Sequence, residues 1–267
     1  MSGLPKFDII DGGYLTYVFG LTSWGQASWP PSYAQGPLIM MDGPEKTIRE
    51  IEFPPYKSAR RAKRSADPNY KKAHEKVGLF RKAIEDDPRI KVIRVPGLEA
   101  DDLVILGAWA TKKKSIVLGI DKDLLQASPY LKMFDHHGDQ ITRKRFQARL
   151  AKSLQGRKLR GKHIPMLLSI LGDKSDSIPR LLGKRELWLL WRLLWDKPQP
   201  NWNAAYKKFG ADLLRNLYTV ILPHPSCFDL NEIDVFELVS NGNWNPRILM
   251  PTLLPVYKEM VTSWGLK

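Results

Sequence analysis

The sequence predicts an α/β fold with a mostly parallel central sheet flanked by helices, and three observations predict it. Short apolar runs (Phe7 to Ile10, Leu38 to Met41, the stretch around Val92, and Ile116 to Ile120) alternate with segments of helical pattern. Three of those runs end in an aspartate, at Asp11, Asp42 and Asp121. In open α/β sheets the functional crevice lies beyond the carboxyl ends of the strands, so these distant carboxylates are expected to converge there. Finally, Val95 to Val104 places three more carboxylates, Glu99, Asp101 and Asp102, within four residues, just ahead of an apolar helix from Leu103 to Trp109.

Crowded carboxylates repel one another unless a cation sits among them, and burying an ion is costly. A divalent metal relieves both problems, and an oxygen-only donor set suits magnesium or manganese. An acidic helix N-terminus favoured by the macrodipole is the plain alternative for Glu99 to Asp102. On a helical wheel Glu99 and Asp102 share a face while Asp101 points roughly 200° away. Either Glu99 precedes the helix, or one of the three acts through water.

Composition narrows the partner. Lys plus Arg outnumber Asp plus Glu by 42 to 28, a net charge of +14, which favours a polyanion, nucleic acid before membrane. No run approaches the ~20 apolar residues of a membrane span, and the first residues lack a signal-peptide apolar region. The single Cys227 excludes an internal disulfide and any Cys-rich zinc site, and fits a reducing cytoplasm.

Along the chain, Asp11-Gly12-Gly13 and Asp42-Gly43-Pro44 read as turns closing the first two strands. Residues 56–82 carry ten basic residues against Asp67 and Glu75, with Pro68 interrupting the segment. Arg61, Lys63, Arg64, Lys71 and Lys72 there are candidate phosphate contacts. Lys112 to Lys114 complement a helix C-terminus. Gly138 to Thr142 reads as a turn into a helix capped by Thr142. Residues 143–162 hold nine basic residues and no acid, with Arg143, Lys144 and Arg145 leading a second candidate backbone-binding surface. Ile164 to Leu171 reads as a helix that stops at Gly172, where Asp173 and Asp176 present carboxylates from one tight turn; an Asx-rich turn is the simpler alternative. The segment Glu186 to Trp195 is apolar almost all round, which predicts a buried helix with its tryptophans in the core.

Read in order, the acidic stations resemble the bacterial and bacteriophage 5′→3′ exonuclease and flap endonuclease family. The matching pieces are Ile10-Asp11-Gly12, then Asp42 with Arg49, Tyr56, Lys57 and Arg60. They continue with Val95-Pro96-Gly97-x-Glu99-Ala100-Asp101-Asp102, Asp121-Lys122-Asp123-Leu124-Leu125-Gln126, and Gly172-Asp173-x-Ser175-Asp176-x-Ile178-Pro179. The resemblance implies a PIN-like 5′-nuclease fold with a basic helical arch and two magnesium or manganese ions. Asp11, Asp42, Glu99, Asp101 and Asp102 would build one side of the centre, and Asp121, Asp123, Asp173 and Asp176 the other. Lys57 and Arg60 would act on the scissile phosphate, Tyr56 would stack a base, and Arg49 would be structural or position a phosphate. It also implies action at 5′ ends, nicks or flaps of DNA, with RNA in a hybrid strand left open. The setting would be a bacterial or phage-infected cytoplasm, and the enzyme a monomer. Residues 1–180 would form the nuclease core with the arch at about 56–82, and residues 181–267 a helical region packed on it.

The chain also departs from the family. Ser177 stands where the family has Asn, and the stretch Pro179 to Lys184 keeps one glycine of the usual helix–hairpin–helix. This counts against the family's potassium site and passes duplex binding to Lys184, Arg185 and the basic block at 143–162. The competing readings are a DNA-binding module with a decayed centre, which the intact acidic stations oppose, and a PIN-type ribonuclease. Adjacent His136 and His137 lack the spaced second pair of a structural zinc site. Ser175 and Cys227 have no base partner at readable spacing for nucleophilic catalysis.

Overall fold

The computed structural model describes residues 5–21, 36–111, 113–142 and 159–266, without the side chains of residues 19–21, 64, 70 and 184. The chain divides into two compact units. One is built on the residues up to Asp121 together with Tyr130–Ile141, and the other on Lys122–Pro129 with the chain from Thr142 onward. The division therefore falls at Asp121 and Ile141, not at residue 180 as the acidic motifs suggested, because the segment carrying Asp173 and Asp176 folds with the C-terminal helices. The helix expected after Thr142, the basic residues Arg143, Lys144 and Arg145, and Lys112 lie outside the described residues.

The first unit is a six-stranded sheet. Its strands are β1 (Ile9–Asp11), β2 (Leu38–Met41), β3 (Lys91–Arg94), β4 (Ser115–Leu118), β5 (Leu131–Phe134) and β6 (Gln140–Ile141), in the order β3-β2-β1-β4-β5-β6. The first five are parallel in the sheet, with Ile10 registered on Ile39 and Leu118, and Leu118 on Phe134. Only β6 runs antiparallel, against β5. This refines the sequence expectation: Gly138-Asp139 is a turn, and it closes a hairpin with Gln140–Ile141 as its second strand. Helix α1 (Gly12–Leu21) leaves β1 without a connecting loop. Gly12 makes that possible, since a Cβ there would lie 2.5 Å from the Met41 side chain and 2.7 Å from the Met40 carbonyl oxygen.

Ile10, Ile39, Met41 and Leu118 form one buried cluster with Tyr14, Leu15 and Val18 of α1 and Ile84. The strand period of two sends Ile9, Met40 and Val117 to the opposite face, where α5 (Ala100–Ala110) packs on β1 and β2. That helix is buried almost all round, as a helix laid on a sheet should be. Between β2 and β3 lie α2 (Ile48–Glu52), α3 (Ser58–Ala66) and α4 (Pro68–Glu85); the last two meet at Asp67-Pro68, where the sequence placed its interruption.

The second unit is helical around α6 (Ile164–Leu171), α7 (Leu187–Trp195), α8 (Trp202–Phe209), α9 (Ala211–Val220) and α10 (Glu232–Ser240). Helices α6 and α9 share the core through Met166, Leu167, Ile170, Leu213 and Leu217. One expectation fails here. On α7 Leu190, Leu193 and Leu194 are buried, but Trp191 and Trp195 are only half-buried and Trp188 is 59% exposed. Near-uniform apolarity hid which side faced the core. No helix among the described residues is long and apolar enough to cross a membrane.

Candidate functional site

In the first unit the carboxylates gather at the carboxyl ends of three adjacent strands. Asp11 ends β1, Asp42 follows β2, and Asp121 lies three residues beyond β4. Asp11 is buried, and its Oδ1 accepts the Tyr14 N–H at 3.2 Å. Burial pushes its carboxyl up to about 7, with the charges of Asp121 and Asp42 adding to the effect and the Tyr14 and Gly13 N–H groups opposing it. Asp42 Oδ1 accepts the Ala100 N–H at 3.0 Å, which draws the start of α5, with Glu99 as its cap and Asp101 in its first turn, toward the same edge. Arg81, from the basic segment 56–82 but not singled out there, lies 3.7 Å from Asp42 Oδ2.

The remaining two acids of the Glu99 to Asp102 run have different company. Asp102 is fully buried, and each of its oxygens receives a guanidinium N–H from Arg49, at 2.6 and 2.8 Å. This fork-on-fork geometry is the strong form of an ion pair. Asp102 Oδ2 also accepts the Glu99 N–H at 3.1 Å. Glu99 takes the Tyr56 hydroxyl on Oε2 at 2.9 Å and the Lys57 ammonium on Oε1, with Arg49 3.5 Å away. Burial works against a charged Arg49, yet Asp102 and Glu99 hold it protonated well above its ordinary range.

These bonds favour the structural of the two roles expected for Arg49 and correct the stacking role expected for Tyr56. Arg49 is 3% exposed and spent on Asp102 and Glu99, so its guanidinium is not presented to a phosphate. Tyr56 is 5% exposed with its hydroxyl on Glu99, so its ring is not an open stacking face. Lys57 precedes α3 in a left-handed conformation, φ 53°, with its ammonium 5.0 Å from the centre of the Tyr56 ring. Arg60 is half-buried in the first turn of α3. Arg61, Lys63, Lys71 and Lys72 are exposed; Arg61 bonds Glu50 and the Pro54 carbonyl. The side chains of Arg64 and Lys184 lie outside those described, and Arg185 is exposed.

The second unit holds its own cluster. Asp123, Asp173 and Asp176 each offer a carboxylate oxygen, all within 4.8 Å of one another. Asp123 opens the 3-10 turn Asp123–Ala127, and Asp173 and Asp176 lie in the turn after α6. Gly172 starts that turn at φ 65°, and a Cβ there would lie 2.4 Å from the Ile178 carbonyl oxygen, so the position admits only glycine. The turn closes by two backbone bonds between Asp173 and Ile178, at 3.1 and 2.9 Å.

Asn216, outside every quoted motif, and Gln126, the last residue of the Asp121 motif, hold both arms to α9. Asn216 Nδ2 donates to the Ser169 and Pro179 carbonyls at 2.8 and 2.9 Å, and Gln126 Nε2 donates to the Val220 carbonyl at 2.8 Å. Lys122 bridges the cluster, its ammonium 2.6 Å from Asp173 and 3.0 Å from Asp123. Burial pushes the Asp173 carboxyl upward, but the bonds from Lys122 and Ser175 outweigh it and leave the group below its ordinary value. Three carboxylates and one ammonium leave a net double negative charge among oxygen donors, which fits a hard divalent cation. His136 is engaged elsewhere: its Nδ1 is 2.6 Å from the Tyr14 hydroxyl and its ring 3.9 Å from that of His137.

Comparison with known proteins agrees with this geometry. Residues 11–151 match the family described as 5′-3′ exonuclease, N-terminal resolvase-like domain. A 5′-3′ exonuclease of Buchnera aphidicola subsp. Baizongia pistaciae (strain Bp) is 31% identical over 197 residues, covering 71% of this chain and 55% of that protein. The chain thus spans about half the length of that curated relative. Among solved structures, a bacteriophage T5 flap endonuclease pseudo-enzyme–product complex with DNA and metal ions superposes with a TM-score of 0.60 at 18% identity, covering 88% of this chain and 96% of that one. The T5 5′-exonuclease with bound zinc gives a TM-score of 0.61 at 18% identity, covering 89% and 97%. At that identity the likeness carries the fold, a PIN-like sheet with flanking helices.

Proposed function

We propose, from the premise that this chain belongs to the 5′-3′ exonuclease family, that it hydrolyses phosphodiester bonds at the 5′ ends of duplex or branched DNA with divalent metal ions. The observation that carries the reading is the state of Asp11. Burial pushes its carboxyl up to about 7, and the charges of Asp121 and Asp42, gathered at the same strand ends, add repulsion to that cost. A structural fold gains nothing from such repulsion, whereas a cation relieves it. The relatives point the same way: one is named a 5′-3′ exonuclease, and the T5 enzyme is described in complex with DNA and metal ions.

On this reading each unit holds an ion, magnesium or manganese by the hardness of its donors. Asp11, Asp42 and Asp121 with Asp101 would take one, and Asp123, Asp173 and Asp176 the other. A divalent ion held in either cluster would supply an activated water or stabilise a leaving oxygen. Asp102 is reserved for Arg49, and Glu99 orients Lys57. Lys57 and Arg60 would stabilise the charge that develops on the scissile phosphate. Exposed Arg61, Lys63, Lys71 and Lys72 would follow the backbone of the strand. The enzyme would act as a monomer, on RNA paired to DNA as well as on DNA.

The test is cleavage of 5′- and 3′-labelled duplex, nicked, flapped and RNA–DNA hybrid substrates, with magnesium, manganese or EDTA, for the native protein and Asp121→Asn. Metal-dependent release from 5′ ends that disappears in the variant is the expected result. Binding without cleavage in either metal would reject the reading.

A further inference from the structure

We infer that the outward face of α7 in the second unit is a stacking platform for unpaired bases of a single strand. Viewed down the helix at ~100° per residue, Trp188, Trp191, Arg192 and Trp195 fall within an arc of roughly 100°, and Arg185 lies in the 3-10 turn that leads into it. The buried Leu190, Leu193 and Leu194 lie opposite. The stripe therefore sets three indoles and one guanidinium group over about two turns, with Arg185 just before it. Its inner end is braced: the Trp195 ring stands edge-on to His163, centroids 5.3 Å apart, and Trp191 stands edge-on to Trp195 at 6.3 Å. Trp188, at the outer end, is 59% exposed.

Trp188 with the half-buried Trp191 and Trp195 puts three indoles on one helix face, a contiguous apolar patch and not a single exposed side chain. Charge identifies the ligand. Arg185 is exposed one turn before Trp188, and Arg192 is exposed beside it, bonded to Asp196 at 3.2 Å. Beyond the braced end, exposed Arg160 and half-buried Lys162 lead into His163. Indole faces interleaved with cations match the two repeating features of a single strand, a base with a π-face and a phosphate. Trp and Arg also anchor protein contacts, but the net charge of +14 favours a polyanion, and base-paired DNA keeps its base faces stacked on each other.

This inference rests on the proposed action on DNA, but its test needs no cleavage. A fluorescein-labelled oligothymidylate and a blunt duplex of equal length are titrated in EDTA by anisotropy, with native protein, Trp188→Ala, Trp188→Phe and Arg185→Ala. Trp188→Ala is expected to weaken oligothymidylate binding about tenfold, and Trp188→Phe to stay within about threefold of native. Arg185→Ala is expected to weaken it with a shallower salt dependence. Because Trp188 is mostly exposed, the variants fold, which circular dichroism verifies. If Trp188→Ala binds oligothymidylate as native does, or loses both ligands in equal proportion, the platform is overturned even where cleavage of DNA is intact. Cleavage lost in Asp121→Asn alongside normal oligothymidylate binding separates this inference from the nuclease reading.

Discussion

Arg49 grips Asp102 through two hydrogen bonds, 2.6 and 2.8 Å, although 53 residues separate them and neither side chain meets solvent. The pair ties α2, which its Thr47 capping box starts, to the first turn of α5, and so sets where Glu99 and Asp101 stand. Breaking a buried pair strands a charge. Arg49→Met is therefore expected to cost about 3–5 kcal/mol in urea denaturation. Arg49→Met combined with Asp102→Asn should cost less than the sum of the two single changes, since no uncompensated ion remains. Additive losses would mean that the two side chains act independently.

The raised Asp11 carboxyl makes the metal-free protein sensitive to pH. Its folded value is about 7, against ~3.9 for an unfolded Asp, so the folded state holds the proton more tightly. The stability this group contributes is complete below ~3.9 and is lost as pH rises through about 7. A divalent ion must displace that proton, so apparent manganese affinity should climb about tenfold per pH unit below 7 and level off above it. Calorimetric titrations between pH 5.5 and 8.5 check this. Asp11→Asn should flatten the dependence and weaken binding together.

These two relationships show what the sequence could and could not reveal. Asp11, Asp42 and Asp121 were legible because each ends an apolar run, and strand ends converge by the geometry of any parallel sheet. The arch was legible from its charge and from Pro68. The Arg49–Asp102 pair was not, because nothing in either local pattern specifies a partner 53 residues away. Asn216 was invisible for the same reason, and the contacts that give Arg81 and Gln126 their roles could not be read from the basic segment and the motif that contain them. Strand β5 escaped because Lys132 breaks a four-residue run. The tryptophans of α7 were misplaced because counting apolar residues ignored their phase on the helix.

Lys122 occupies the Asp123–Asp173 cluster with its own ammonium. A divalent ion there has to share the oxygens with it or displace it. Lys122→Met is accordingly expected to tighten manganese binding by about threefold to tenfold, because it removes one unit of like charge a few ångströms away. The same change releases Asp173 from the bond that holds its carboxyl low, so binding should become more sensitive to acid. Titration of Lys122→Met in an Asp11→Asn background isolates this cluster. Weaker binding would mean that Lys122 positions the carboxylates instead of competing for them.

Ser177 sits at φ 60° inside the acidic turn, at the position where the family carries Asn. Left-handed backbone costs an ordinary L-residue roughly 1–2 kcal/mol, and Asn visits it more readily. Ser177→Asn is expected to stabilise the protein by about 0.5–1 kcal/mol, read as a higher urea midpoint at unchanged slope. Ser177→Val, branched at Cβ, should destabilise it.

Lys57 combines strained backbone with a directed charge: φ is 53° and the ammonium bonds Glu99. Strain of this sort persists where the surroundings over-determine a residue, and it collects at functional sites. The two properties can be separated by Lys57→Gly, which accepts positive φ freely but lacks the ammonium. Glu99 keeps its bonds from Tyr56 and Arg49, so the folded state loses little and regains the strain. Stability should hold within about 0.5 kcal/mol or rise, while kcat on a flapped substrate should fall about 100- to 1,000-fold, the usual cost of one donor to a developing anion. Lys57→Arg, which retains a cation with different reach, should recover part of the rate and none of the strain. If the glycine variant unfolds more easily and cleaves at the native rate, Lys57 is a structural clamp on Glu99 and another group serves the phosphate.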